Sequence, residues 1–188
     1  MNDRSRAIAS LTCLQSRFIP HIVGHDVPRR PTGFSVYRTL VPISRVKADK
    51  EAWQIFDGRY PGGYCMTHAP ERFVNFMTYP CGNNEMMNVA VFHRTREDQQ
   101  DAHDWNSQAC VDDVLLQIRE GFHPAWSALI KLADSVKLFN VSVRDPLPRY
   151  SRGKAVLIGD AAHAMQPTHG QGGAMGVSHT DKHDPCQS

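Results

Sequence analysis

Apolar positions along the chain recur with two different periods. From Phe34 the stretch "FSVYRTLVPI" is rich in β-branched and aromatic residues and is interrupted by Pro42, the pattern of a strand that stops. "YCMTHA" after the turn "PGG", "RFVNFMTYP", and "MNVAVFHRT" after the polar turn "CGNNE" predict three more strands. In "RFVNFMTYP" the residues Val74, Phe76 and Thr78 alternate with Phe73, Asn75 and Met77. Connections this short cannot join parallel neighbours, so these strands predict an antiparallel meander.

The period then changes. Over residues 107–121 Val111, Val114, Leu115 and Ile118 fall on one helical face, and Gly121 stops the run. A second helix is predicted from Pro124, with Trp126, Leu129, Ile130 and Ala133 turned inward. "VKLFNVSV" predicts a further strand, "RDPLPRYSRG" an extended crossing segment, and "AVLI" a strand buried on both faces, as in a parallel sheet. The expected organisation is a connecting segment over residues 1–33, a sheet with helices over 34–143, a strand, turn and helix over 144–177, and an atypical tail over 178–188. In class terms this is α+β with a terminal α/β piece.

Composition leaves the picture of a folded domain intact. Hydrophobic residues make up 41% and charged residues 21% of 188, too apolar for a largely disordered chain. A net charge of +2, with basic residues scattered rather than clustered, argues against a nucleic-acid partner. No apolar run has the length of a membrane span or of a signal core, so a soluble, cytoplasmic protein is expected. The five cysteines are widely spaced and odd in number, which predicts reduced thiols.

Candidate chemistry concentrates in "KAVLIGDAAHAMQPTHGQGG", residues 154–173. Gly159 and Asp160 follow the predicted strand, where ligands gather at the carboxyl end of an α/β sheet. An Asp there accepts hydrogen bonds from sugar-like hydroxyls, although a turn-forming role is the alternative. "GQGG" then offers backbone N–H groups at a helix start, which favours an anionic or electron-rich partner. Met175 occupies the third glycine position of a dinucleotide fingerprint, and no Gly-Lys-Ser/Thr of a phosphate loop is present.

"GDAAHAMQPTHGQGG" resembles the second flavin motif of the FAD-dependent aromatic monooxygenases, the family of salicylate hydroxylase and para-hydroxybenzoate hydroxylase. Every fixed position of G-D-A-A-H-x-x-x-P-x-x-G-Q-G is matched. "DPLPRYSRGKAVLI", "TGFSVYRTLVP" and "FMTYPCGNNEMMNVAVF" are similar to the family's approach to that motif and to its substrate-domain strands, so the likeness covers about residues 20–177. The resemblance implies an antiparallel substrate-domain sheet with helices, followed by a strand-turn-helix piece of a Rossmann-like FAD-binding domain.

It also implies site residues. Asp160, with Gly159, would hold the ribityl chain of FAD, Pro167 would lie beside the flavin ring, and the amides at Gly170, Gln171, Gly172 and Gly173 would face its pyrimidine edge. Negative charge on a reduced flavin suits a helix N-terminus at that edge. Tyr37, Arg38, Tyr79 and Pro80 occupy family-like positions on the sheet that receives a small aromatic substrate. The implied reaction is hydroxylation of that ring by molecular oxygen through a flavin hydroperoxide, with NAD(P)H as reductant, no metal and no named catalytic base.

The sequence departs from the family in two places. Neither a G-x-G-x-x-G motif nor the family's Asp-Gly motif precedes the substrate strands, and after Val177 the chain continues "SHTDKHDPCQS" in place of a long helix. A fragment of a monooxygenase with impaired activity is therefore expected, with a non-catalytic interaction module as the alternative. His179, His183 and Cys186, or Asp160, His163 and His169, would be the ligands of a metal-dependent hydrolase, a third alternative.

Overall fold

The computed structural model describes residues 16–56, 65–99, 107–153 and 155–166. These divide into two units. One comprises residues 33–141, and the other comprises 1–32 with 142–188.

The unit of residues 33–141 is built on a six-stranded sheet. Its strands are β1 (Arg30–Pro42), β2 (Cys65–Ala69), β3 (Val74–Cys81), β4 (Met86–Arg94), β5 (Ser107–Ala109) and β6 (Val136–Val143), in the order β2-β3-β4-β1-β6-β5. β2, β3, β4 and β1 pair antiparallel in succession, as the short β2–β3 and β3–β4 connections require of the first three, and β5 pairs antiparallel with β6. The β3–β4 connection carries Gly82, Asn83 and Asn84 at φ of 57°, 55° and 65°. Glycine and asparagine are the residues that enter this left-handed region at least cost, and Glu85 N–H closes the turn on the Gly82 carbonyl at 3.0 Å.

Period-two alternation sorts the sheet into two faces. Tyr37, Val41, Val74, Phe76, Met87, Val89, Val91, Val136 and Leu138 lie in one core with residues of four helices. These helices are α2 (Ile43–Ala48), α3 (Lys50–Trp53), α4 (Val111–Ile118) and α5 (Pro124–Lys131); α1 (Ile19–Val23) belongs to the other unit. Phe76 is fully buried, with its ring centroid 4.3 Å from that of Trp126. Each such side chain contributes about 1.5–3 kcal/mol by leaving water. Val36, Ala90, Phe92 and Val141 form a separate cluster with Phe34, Met77 and Phe139, the alternate positions of the same strands.

Helix ends follow local chemistry. Asp49 accepts from the N–H groups of Glu51 and Ala52 at 3.0 and 2.8 Å and so starts α3. Pro124 opens α5, where its missing N–H costs nothing. At α4 the Asp113 carboxylate accepts from both N–H and Sγ of Cys110, at 3.0 and 3.1 Å. These bonds, the backbone one first, hold Asp113 below the ordinary carboxylate range.

Several elements differ from the pattern-based expectation. β1 begins at Arg30, four residues before Phe34, because the ladder extends into the Pro-rich boundary. The helix expected over 107–121 is confined to Val111–Ile118, since Ser107–Ala109 pair with β6 instead. Helices α1, α2 and α3, of five, six and four residues, are too short to leave a readable period.

In the unit of residues 1–32 and 142–188, β7 (Ser151–Arg152) and β8 (Ala155–Val156) form an antiparallel pair. The parallel-sheet strand expected at "AVLI" is thus corrected among the described residues. Its first two residues fold back on a near neighbour, which needs no crossover, while Leu157 and Ile158 are buried without joining the ladder. Leu157 packs with Ile19, Ile22, Val23, Leu147, Ala161 and Ala162. No helix among the described residues is long and apolar enough to cross a membrane.

Candidate functional site

The turn after β8 is set by one glycine. Ile158 is extended at φ −136° and ψ 166°, and Gly159 then takes φ 57°, reversing the chain into a 3₁₀ turn over Gly159–Ala161. The Gly159 carbonyl accepts from the N–H groups of Ala162 at 3.0 Å and His163 at 2.9 Å. Ala161 and Ala162 face the apolar core, whereas Asp160 is exposed. The turn thus presents a solvent-facing carboxylate, a hydrogen-bond acceptor.

His163 sits apart from that role. Its ring packs against Tyr150, with centroids 5.1 Å apart and planes at 35°. Among the described residues no group of His, Cys, Asp or Glu could hold a metal ion. Pro167, Gly170, Gln171, Gly172 and Gly173 lie outside the described residues, as do His169, His179, His183 and Cys186.

A cavity of about 460 Å³ lies in the same unit, with Arg17, Asp26, Arg29 and Arg144 in its wall. Its wall carries three guanidiniums and one carboxylate. Partial burial pushes the Arg144 guanidinium down, with Arg29 adding to the effect, and its Nε–H donates to the Val27 carbonyl at 3.0 Å.

On the sheet of the other unit, the four residues singled out for substrate separate by face. Arg38 stands opposite Ala90 and Tyr79 opposite Asn88, all on the face away from the helices. Arg38 is exposed and Tyr79 half-buried. Tyr37 points the other way. It is 1% exposed in the helix-covered core, where its hydroxyl accepts from Gln99 Nε2 at 2.6 Å and burial raises its pKa. Pro80, opposite Met87, shares the Tyr37 side by register. Arg38 and Tyr79 are brought to one face; Tyr37 and Pro80 are not.

Between them lies a residue that sequence reasoning passed over. Asn88 occupies β4, between β3 and β1, with Tyr79 across one ladder and Leu40 across the other. It is 2% exposed and accepts a hydrogen bond from Arg38 Nη2 at 3.0 Å. Its signal was the one polar position in the apolar run "NVAVF".

A family model described as "FAD binding domain" matches residues 25–182. The chain belongs to the FAD binding domain family. A salicylate hydroxylase of Sarocladium schorii is 31% identical over 148 residues, covering 75% of this chain and 28% of that protein. A 6-hydroxynicotinate 3-monooxygenase of Bordetella bronchiseptica is 27% identical over 168 residues, covering 87% and 39%. The solved structure of a salicylate hydroxylase substrate complex superposes with a TM-score of 0.70 at 30% identity, covering 91% of this chain and 42% of that one. The chain therefore spans less than half the length of these relatives.

FAD suits the residues present at its ribityl end. Asp160 is exposed, and among the described residues its carboxylate makes no hydrogen bond. An exposed acceptor on a fixed turn matches the hydroxyls of a ribityl chain.

Proposed function

We propose that this chain forms part of a FAD-dependent monooxygenase that hydroxylates a small aromatic substrate with NAD(P)H as reductant. The observation that carries the proposal is the Asp160 carboxylate, held outward by the left-handed Gly159 at the end of β8. When bound, FAD supplies the chemistry: two electrons from NAD(P)H reduce O₂, one oxygen atom enters the ring and the other leaves as water. Gly159 and Asp160 would hold the ribityl end, and Pro167, Gly170, Gln171, Gly172 and Gly173, the matched positions of the flavin motif, would serve the flavin ring. The sheet face bearing Arg38 and Tyr79 receives the substrate. Tyr37 supports that face from the opposite side, where Gln99 anchors its hydroxyl.

No motif for the AMP half of FAD occurs in these residues. The test is direct. Purified chain is mixed with FAD, and flavin fluorescence and the visible spectrum are followed. Quenched fluorescence with a structured flavin band is expected, and an unchanged free-flavin spectrum together with unquenched emission refutes the proposal.

A further inference from the structure

We infer that the arginine-lined cavity in the unit of residues 1–32 and 142–188 is a binding site for a sugar phosphate, with no residue of the flavin turn in its wall. Three separate stretches of chain supply its charges: Arg17 before α1, Asp26 and Arg29 ahead of β1, and Arg144 just after β6. At about 460 Å³ it falls within the roughly 300–1,000 Å³ of small-molecule sites. Arg17 and Arg29 are exposed and make no ion pair among the described residues. Arg30, next along the chain, is held by Asp145, so that carboxylate is already engaged outside the cavity. Arg144 is half-buried, and its Nε–H, tied to the Val27 carbonyl at 3.0 Å, fixes the plane of its guanidinium. Arg29 is near enough to disfavour the Arg144 charge, and Asp26 offsets that in part. Like charges gathered from distant parts of the sequence repel until an anion joins them.

The wall defines that anion. Three guanidiniums against one carboxylate leave two positive charges in excess, and a phosphate monoester carries about −1.5 to −2 at neutral pH. Guanidinium forks take phosphate oxygens in pairs, so more than one can grip the same group. Asp26 discriminates between kinds of phosphate. Its carboxylate repels a bare oxyanion, yet it accepts from hydroxyl groups, which a sugar carries beside its phosphate. Ile19 and Val27 add a small apolar side on which the C–H face of a sugar ring can rest. A hydroxylated phosphate ester therefore satisfies cations, carboxylate and apolar side together, whereas inorganic phosphate leaves Asp26 opposed. The same chemistry occurs in a free sugar phosphate and in a nucleotide.

The experiment is calorimetric titration of the full chain with ribose 5-phosphate as the ester, and with adenosine monophosphate, inorganic phosphate and ribose beside it. The ester is expected to bind at least about fivefold more tightly than inorganic phosphate, and ribose not at all up to about 10 mM. Arg17→Gln and Arg29→Gln, both at exposed positions, should each weaken the ester about tenfold. Asp26→Ala should tighten inorganic phosphate about threefold and remove the advantage of the ester. Circular dichroism checks the fold of each variant. Adenosine monophosphate bound more tightly than the ester assigns the source to a nucleotide, weaker binding assigns it to a free sugar phosphate, and either supports the site. No ester binding up to about 10 mM, inorganic phosphate bound as tightly as the ester, or unchanged affinity in folded Arg17→Gln and Arg29→Gln overturns the inference. Displacement of the ester by FAD also overturns it, because the phosphate would then occupy the flavin site. A chain that binds the ester but shows no flavin quenching refutes the monooxygenase proposal alone.

Discussion

The imidazole of His93 lies almost flat against the ring of Tyr37, with centroids 4.5 Å apart and planes within 18°. His93 is fully buried, and its Nδ1–H donates to the Arg94 carbonyl at 2.7 Å. In the neutral tautomer this fixes, Nε2 is an acceptor without a partner. Protonation would add a buried N–H with nothing to receive it. Burial first, and the nearby Arg96 charge after it, therefore hold His93 below its ordinary value, against the pull of the Arg94 carbonyl.

The sign of the pH dependence follows from that direction. Between the lowered folded pKa and the unfolded value of about 6.5, the unfolded chain binds more protons, so stability rises with pH. The contribution is complete above about pH 6.5 and is lost as pH falls from there through the folded pKa. Melting temperatures measured from pH 7.5 to 5 should fall on the acidic side in wild type. In His93→Phe, which keeps a ring against Tyr37, that part of the slope should vanish. An identical slope in both proteins assigns the dependence elsewhere.

Tyr37 and Tyr79 make a matched pair for the two sheet faces. Tyr37→Phe removes the acceptor of a buried Gln99 Nε2–H and is expected to cost about 1–3 kcal/mol, seen as a melting point several degrees lower. It should leave salicylate affinity unchanged. Tyr79→Phe removes the hydroxyl of a half-buried side chain on the face away from the helices, so its stability change should stay within about 0.5 kcal/mol while ligand affinity moves. The reverse assignment of effects would place the ligand on the helix-covered face.

Much of this division was legible before any coordinates. Strands β2 and β3 and helices α4 and α5 announce themselves, because each has one buried face and so a clean period, whereas β4, buried on both faces, shows itself as an apolar run after a turn signal. The two faces of the sheet are implicit in that same period, which is why Arg38 and Tyr37, adjacent in sequence, had to separate. What alternation does not tell is which face the helices cover. That depends on where the polypeptide between β5 and β6 packs, a tertiary fact. Asn88 was hidden for a related reason: a lone polar residue in an apolar strand signals something only once its neighbours on β1 and β3 are known. The segment "AVLI" misled because a buried apolar run has no period to separate a parallel strand from a short hairpin with an apolar exit.

Gly159 offers a test of the turn itself. At φ 57° a side chain with a Cβ pays about 1–2 kcal/mol, and a β-branched one more. Gly159→Val should therefore lower stability by at least about 1 kcal/mol in denaturant titration and weaken FAD retention by displacing Asp160. Gly159→Asn, which tolerates the left-handed region, should recover most of the stability. Equal destabilisation by both substitutions would show that space, not backbone conformation, reserves the position for glycine.

Asp160 separates a ligand-binding carboxylate from a structural one. Turn-forming aspartates accept hydrogen bonds from their own backbone, and their loss is felt as instability. Asp160 has no such bond among the described residues: the amides of Ala162 and His163 are taken by the Gly159 carbonyl instead. Removing its carboxylate should therefore leave the melting point nearly unchanged. Hydrogen bonds to a charged group contribute about 1.5–3 kcal/mol, so Asp160→Ala is expected to weaken FAD binding by roughly tenfold to a hundredfold. Asp160→Asn keeps one acceptor oxygen without the charge and should fall between. Fluorescence titration with FAD, beside thermal melts of the same samples, gives both quantities. A folded Asp160→Ala that retains wild-type FAD affinity would remove the carboxylate from the flavin site, and a variant that melts early would return it to the turn.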